Sequence, residues 1–174
     1  MAFADRIIKS MIVIKEDTIK IYKKVVSLSN ESIPDYLFGR DIDDPRIGET
    51  QKKIHFRLFI PEYISKGFQL NKIDIINNYD EKETVTFLYS SSNDKKDCFE
   101  IIQWNFPAES NIAVNITKDE NTKIEYLTID GIEYTLISYE KNLNSLLWDN
   151  GTVSCEINGN LSRDEIIKIA KSMK

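Results

Sequence analysis

The stretch Ser145–Lys174 reads SLLWDNGTVSCEINGNLSRDEIIKIAKSMK, and its punctuation decides the fold. Leu146, Leu147 and Trp148 form an apolar run suited to a buried strand. Val153, Cys155 and Ile157 then alternate with Thr152, Ser154 and Glu156. Asn150-Gly151 separates the two runs and predicts a two-residue hairpin, because both central residues of a type I′ turn need positive φ. Asn158-Gly159-Asn160 is a second break. Ser162 and Glu165 have the S-x-x-E spacing of a helix capping box, and Leu161 stands where it can staple onto Ile166. Ile166, Ile169, Ala170 and Met173 fall on one helical face. Lys168 and Lys171 lie outside that face, near the negative end of the helix dipole. The unit is strand, tight turn, strand, and a capped helix that covers a sheet rather than reaching for a partner.

Outward from this unit, Asp130-Gly131 marks a second hairpin, between Lys123–Ile129 and Ile132–Tyr139. Alternation predicts further strands at Ile54–Ile60, Phe68–Ile75, Val85–Tyr89, Cys98–Phe106 and Ile112–Ile116. On the Cys98–Phe106 strand, Cys98, Glu100, Ile102 and Trp104 share one side. Nothing between these strands has helical period. At the start of the chain, Ala2–Met11 reads as a short helix, with Phe3, Ile7, Ile8 and Met11 on one side. Ile12–Ile14 and Ile19–Val26 read as a hairpin around Lys15-Glu16-Asp17. The expected class is α+β: one curved antiparallel meander sheet from Ile54 to Ile157, with the C-terminal helix and a short N-terminal helix packed on one face.

The chain's 174 residues suggest one domain, 1–174, large enough for a substantial core. A hydrophobic share of 41% with 29% charged residues is a globular mixture, which argues against disorder. The net charge of −5 gives no basis for binding nucleic acid or an anionic membrane surface. No apolar run approaches the ~20 residues of a membrane span, and no leader precedes Asp5 and Arg6. Taken literally this describes a cytoplasmic protein. The alternative is a piece excised from an anchored one.

The residues offer little to catalysis. G-x-S-x-G, P-loop and G-x-G-x-x-G patterns are missing. The single histidine, His55, sits in an alternating stretch beside Arg57 and reads as a rim residue rather than a general base. Glu81/Glu83 and Asp94/Asp97 read as solvated loop carboxylates, without the burial that tunes a general acid. Cys98 and Cys155 lack metal-ligand spacing. They read as free thiols in neighbouring strands, with a disulfide as the alternative if the domain lies outside the cell. Asp41, Asp43 and Asp44 lack the glycine and terminal glutamate of an EF-hand loop, so Ser29–Lys53 reads as an irregular, solvated acidic loop. Trp104, Trp148, Tyr126, Tyr134 and Tyr139 read as core, with a ligand cavity as the alternative. The expectation is a non-enzyme with no catalytic, cofactor-binding or metal-binding residues and no cofactor.

Three passages together resemble a known bacterial family. They are Ala2-Phe3-Ala4-Asp5-Arg6-Ile7-Ile8, then Ile60-Pro61-Glu62-Tyr63-Ile64-Ser65-Lys66-Gly67-Phe68, and the closing unit from Trp148 through Leu161–Met173. The second is similar to an "I-P-E-Y-[IL]-P-x-G-[FY]" element, with Ser65 where proline is common. The third is similar to an "L-S-x-E-E-[IL]-x-x-I-A-x-S-[IM]" helix. The family is the domain of unknown function numbered four-three-six-seven. The resemblance implies the extracytoplasmic part of an anti-sigma-like membrane protein of spore-forming Gram-positive bacteria, anchored by a helix upstream of Ala2. It supplies no catalytic residues. The expected function is a non-catalytic sensing or protein-interaction domain. The alternative is a carrier whose curved sheet holds an apolar molecule. The expected partner is accordingly a protein or a small apolar ligand, with membrane contact only through the anchor.

Overall fold

A computed structural model describes residues 7–15, 18–26, 44–77, 83–92, 97–105, 111–117, 120–140, 143–150 and 153–173. Two antiparallel sheets result. β1 (Ile7–Lys15), β2 (Thr18–Val26) and β6 (Asn111–Thr117) form a three-stranded sheet in the order β1-β2-β6. The larger sheet contains β3 (Phe68–Asn77), β4 (Glu83–Ser91), β5 (Cys98–Asn105), β7 (Lys123–Ile129), β8 (Ile132–Ser138), β9 (Leu143–Asn150) and β10 (Val153–Asn160). Its order is β3-β4-β5-β10-β9-β8-β7, so two meanders meet where β10 pairs with β5. Among the described residues two helices join the sheets, α1 (Pro45–Gln51) and α2 (Arg163–Lys171). The class is the α+β meander sheet that the alternation and hairpin signals predict.

Register divides the large sheet into two faces. Val85, Phe87 and Tyr89 of β4 lie beside Gln103, Ile101 and Phe99 of β5. Ile101 lies beside Ile157, Gln103 beside Cys155, and Cys155 beside Trp148. Trp148 and Leu146 lie beside Tyr134 and Leu136. All are buried, and the apolar ones belong with Ile166, Ile169, Ala170 and Met173 of the closing helix unit to one core. Side chains alternate across a strand, so the intervening residues take the opposite face, which buries a smaller patch of its own: Trp104, Ile137, Leu147 and Ser154.

A cover layer closes that face. α1 contacts β3, residues 54–60 run extended over β4 and β5, and α2 contacts β9. Ile54, Phe56 and Leu58 point into the core, while His55 points out. At α2, Ser162 is the N-cap and accepts from the Glu165 amide, and Leu161 and Ile166 are both buried. Ile169 is fully buried and Trp148 is only 4% exposed, as the closing stretch predicts.

Four expectations change. Ile54–Ile60 is extended and alternates in burial, but joins no strand ladder. β6 leaves the large sheet to pair with β2, so the strands from Ile54 to Ile157 are not one sheet. Both corrections share a reason: alternation reports which face a residue takes, not what the backbone pairs with. The short helix of the N-terminal part is α1, inside the stretch read as an acidic loop. Ile7–Met11 instead belongs to β1, paired from Ile7↔Val26 onward. Isoleucines there fit a pleated strand as well as a helical stripe. Ala2–Arg6 lie outside the described residues.

Candidate functional site

Four strands of the apolar face each place a polar side chain on it, and each of these holds the cover layer. On β4, Glu83 is buried; its carboxylate accepts from the His55 amide at 2.7 Å and lies 2.9 Å from His55 Nδ1. On β5, Gln103 is fully buried. Its carbonyl accepts from the Phe59 amide and its Nε2 donates to the Phe59 carbonyl, both at 2.8 Å. On β9, Asn144 donates to the Leu161 carbonyl at 2.6 Å. On β7, Glu125 takes Arg163 at the start of α2, 2.9 Å between Nη2 and Oε2. The Arg163 guanidinium holds the Glu125 carboxyl below its ordinary pKa.

α1 adds to the same grip. Its last residue, Gln51, donates to the Phe56 carbonyl at 2.8 Å and accepts from the Leu58 amide at 2.9 Å. Asp44 caps α1 at the Arg46 amide, and Pro45 follows at the first helical position, where its missing N–H costs nothing. Arg46 pairs with Asp44 and donates to the carbonyls of Leu70 and Asn71, beside a register shift in the edge strand β3. That contact covers part of an edge that would otherwise invite strand pairing. Segment 54–60 is thus held through its main chain by three side chains from three elements, Gln51, Glu83 and Gln103.

The segment continues into the Ile60–Phe68 element, which docks on α2. Pro61 bridges Met173, and the Glu62 amide donates to the Ser172 carbonyl. Tyr63 donates its hydroxyl to Glu165 at 2.8 Å, and Ser65 donates to the same carboxylate oxygen. Lys168 Nζ lies 3.8 Å from the centre of the Tyr63 ring, a cation–π contact. The Ser65 hydroxyl, then the Tyr63 hydroxyl, hold the Glu165 carboxyl below its ordinary pKa. The expected capping box is therefore divided. Ser162 caps the Glu165 amide, while the Glu165 side chain turns to the Ile60–Phe68 element. Serine in place of proline at position 65 supplies a donor that proline lacks.

Other singled-out residues fall as follows. His55 is a rim residue, its side chain 90% exposed beside Glu83. Glu83 is not a loop carboxylate but a buried one. Asp97 is exposed, and Glu81, Asp94, Asp41 and Asp43 lie outside the described residues. Among the described residues no group of three or more His, Cys, Asp or Glu side chains is placed to hold a metal. Cys98 and Cys155 lie on the neighbouring strands β5 and β10 and are not bridged to each other. Trp104, Trp148 and Tyr134 are buried, whereas Tyr126 is 63% exposed. Sequence reading passed over Gln51, Gln103 and Asn144. For Gln103 the signal was present: a glutamine in phase with Phe99 and Ile101 on an apolar face.

The chain belongs to the family described as Domain of unknown function (DUF4367), which matches residues 58–173. The match begins inside the held segment and ends on Met173, so it takes in the Ile60–Phe68 element and the helix it docks on. No curated protein and no solved structure matches the chain.

Proposed function

We propose that this domain is a non-catalytic, extracytoplasmic sensing or protein-interaction module of a membrane-anchored, anti-sigma-like regulator. One observation carries the reading. Gln51, Glu83, Gln103 and Glu165 converge on a single non-ladder segment, residues 55–65, and bind its main chain and hydroxyls. Amides and carboxylates arranged this way hold a polypeptide in place. A carboxylate that serves as general acid or base instead faces a cleft with its proton free to move. The runner-up, a carrier for an apolar molecule, draws on the same apolar face of Phe87, Phe99, Ile101 and Trp148.

Location and chemistry are tested separately. Lys171 is exposed, so Lys171→Cys places a thiol at the surface. In intact cells making the full-length protein, a membrane-impermeant maleimide should label that variant before lysis and the parent chain far less. Labelling only after lysis would overturn the extracytoplasmic reading. Turnover in a hydrolase screen, lost on Glu83→Gln, would overturn the non-catalytic one.

A further inference from the structure

We propose that residues 54–60 occupy a seat for an extended peptide, and that a partner segment with apolar residues at alternate positions can take their place. The proposal rests on the interaction reading above and names the partner's chemistry. Three features support it. The segment joins no ladder, so its main chain is bound by side chains that read no sequence: Gln51 at Phe56 and Leu58, Glu83 at His55, and Gln103 at Phe59. Its selectivity comes only from alternation, with Ile54, Phe56 and Leu58 buried and His55 exposed. Gln103 and Glu83 belong to paired strands of the sheet, so the seat keeps its polar groups when the segment leaves. Main-chain hydrogen bonds for affinity and pockets for alternate side chains for selectivity are how extended peptides are generally recognised.

The resident segment competes as a tethered ligand, at an effective concentration of about a millimolar. A free peptide at micromolar concentration is therefore excluded until the resident is weakened. A fluorescein-labelled peptide with the sequence of residues 53–60 is the probe, with the full chain as receptor. Phe56→Ser with Leu58→Ser weakens the resident and leaves the seat intact. By fluorescence anisotropy this variant should bind the probe at least about tenfold more tightly than the parent chain, the resident competitor being gone. Adding Gln103→Ala should reverse the gain, and a peptide with the same residues out of alternation should not bind. If the double variant does not fold, Leu58→Ala carries the same test with a smaller gain. A folded, weakened variant that binds both peptides equally would overturn the proposal. So would a dimer that exchanges segments and ignores the peptide, which would assign the seat to a second copy. Failure here with Lys171→Cys still labelled from outside would remove the seat and leave the extracytoplasmic reading standing. Peptide binding without labelling would do the reverse.

Discussion

The two faces of the large sheet are made by the same strands and differ in how they are finished. One carries Val85, Phe87, Phe99, Ile101, Ile157 and Leu146 and is closed by α1, segment 54–60 and α2. The other carries Thr84, Thr86, Glu100, Ile102, Glu156 and Thr135, all half-buried, beside a smaller buried patch of Trp104, Ile137, Leu147 and Ser154, and exposes Tyr126 and Ile76 towards its two edges. The contrast teaches where specificity lies. Apolar burial selects the first face but does not fix what lies on it, because the hydrophobic effect is non-directional. Glu83, Gln103, Asn144 and Glu125 supply direction, and the first three, which are buried, would each be costly if left without a partner.

Neighbours on β5 give the strongest test of this contrast. Ile101→Ala, like Ile169→Ala in α2, empties a fully buried position and should cost about 2–5 kcal/mol. Ile102→Ala, one residue along and on the other face, should cost about 1 kcal/mol by denaturant unfolding. Equal losses would erase the distinction between the faces. Next comes Gly159, opposite Phe99, where an added Cβ would lie 2.5 Å from the Phe99 Cβ. Gly159→Ala should cost about 2–3 kcal/mol through overpacking, seen as a lower unfolding midpoint. Gln103→Leu keeps the apolar packing but strands the Phe59 amide and carbonyl, for a loss of about 1–3 kcal/mol. An unchanged midpoint would mean the polar grip adds nothing. Ser162→Ala, which removes the α2 cap, should cost about 1 kcal/mol.

The smallest effect is one of pH. The Glu165 carboxyl has a folded pKa below its unfolded value, because Ser65 and Tyr63 donate to its charged form. Its contribution is therefore present above the unfolded pKa, about 4.3, and is lost as pH falls through the lower folded value. Glu165→Gln should flatten the acid limb of a stability–pH curve and leave the slope near neutral pH unchanged. An unaltered acid limb would show that the Ile60–Phe68 element does not grip α2 through this carboxylate.

Much of this architecture is legible in the sequence, and what is not has a physical reason. Asn150-Gly151 and Asp130-Gly131 are local devices with local causes, so β9–β10 and β7–β8 could be read directly. Ser162 and Leu161 announce α2 in the same way. Pairing between distant stretches leaves no local mark: nothing in Asn111–Thr117 says that its partner is β2, about ninety residues earlier. Residues 54–60 carry a strand's alternation yet take their hydrogen bonds from Gln51, Glu83 and Gln103, so their lack of a ladder was hidden. Glu83 looked solvated because its neighbours Glu81 and Lys82 are charged; the phase it shares with Val85 and Phe87 puts it inside. The Glu165 contact to Tyr63 and Ser65 joins two passages about a hundred residues apart. Each was recognisable alone, but their contact was not.

Segment 54–60 is a separate piece held on the sheet by side chains rather than a strand of it. Native-state hydrogen exchange in Gln103→Leu tests this most directly. The His55, Leu58 and Phe59 amides should exchange at least about tenfold faster than in the parent chain, by local release of the segment. The Ile101, Ile157 and Leu146 amides should accelerate only as far as the fall in global stability requires. If segment and sheet amides accelerate by one common factor, the segment opens only with the whole domain, and the account is contradicted.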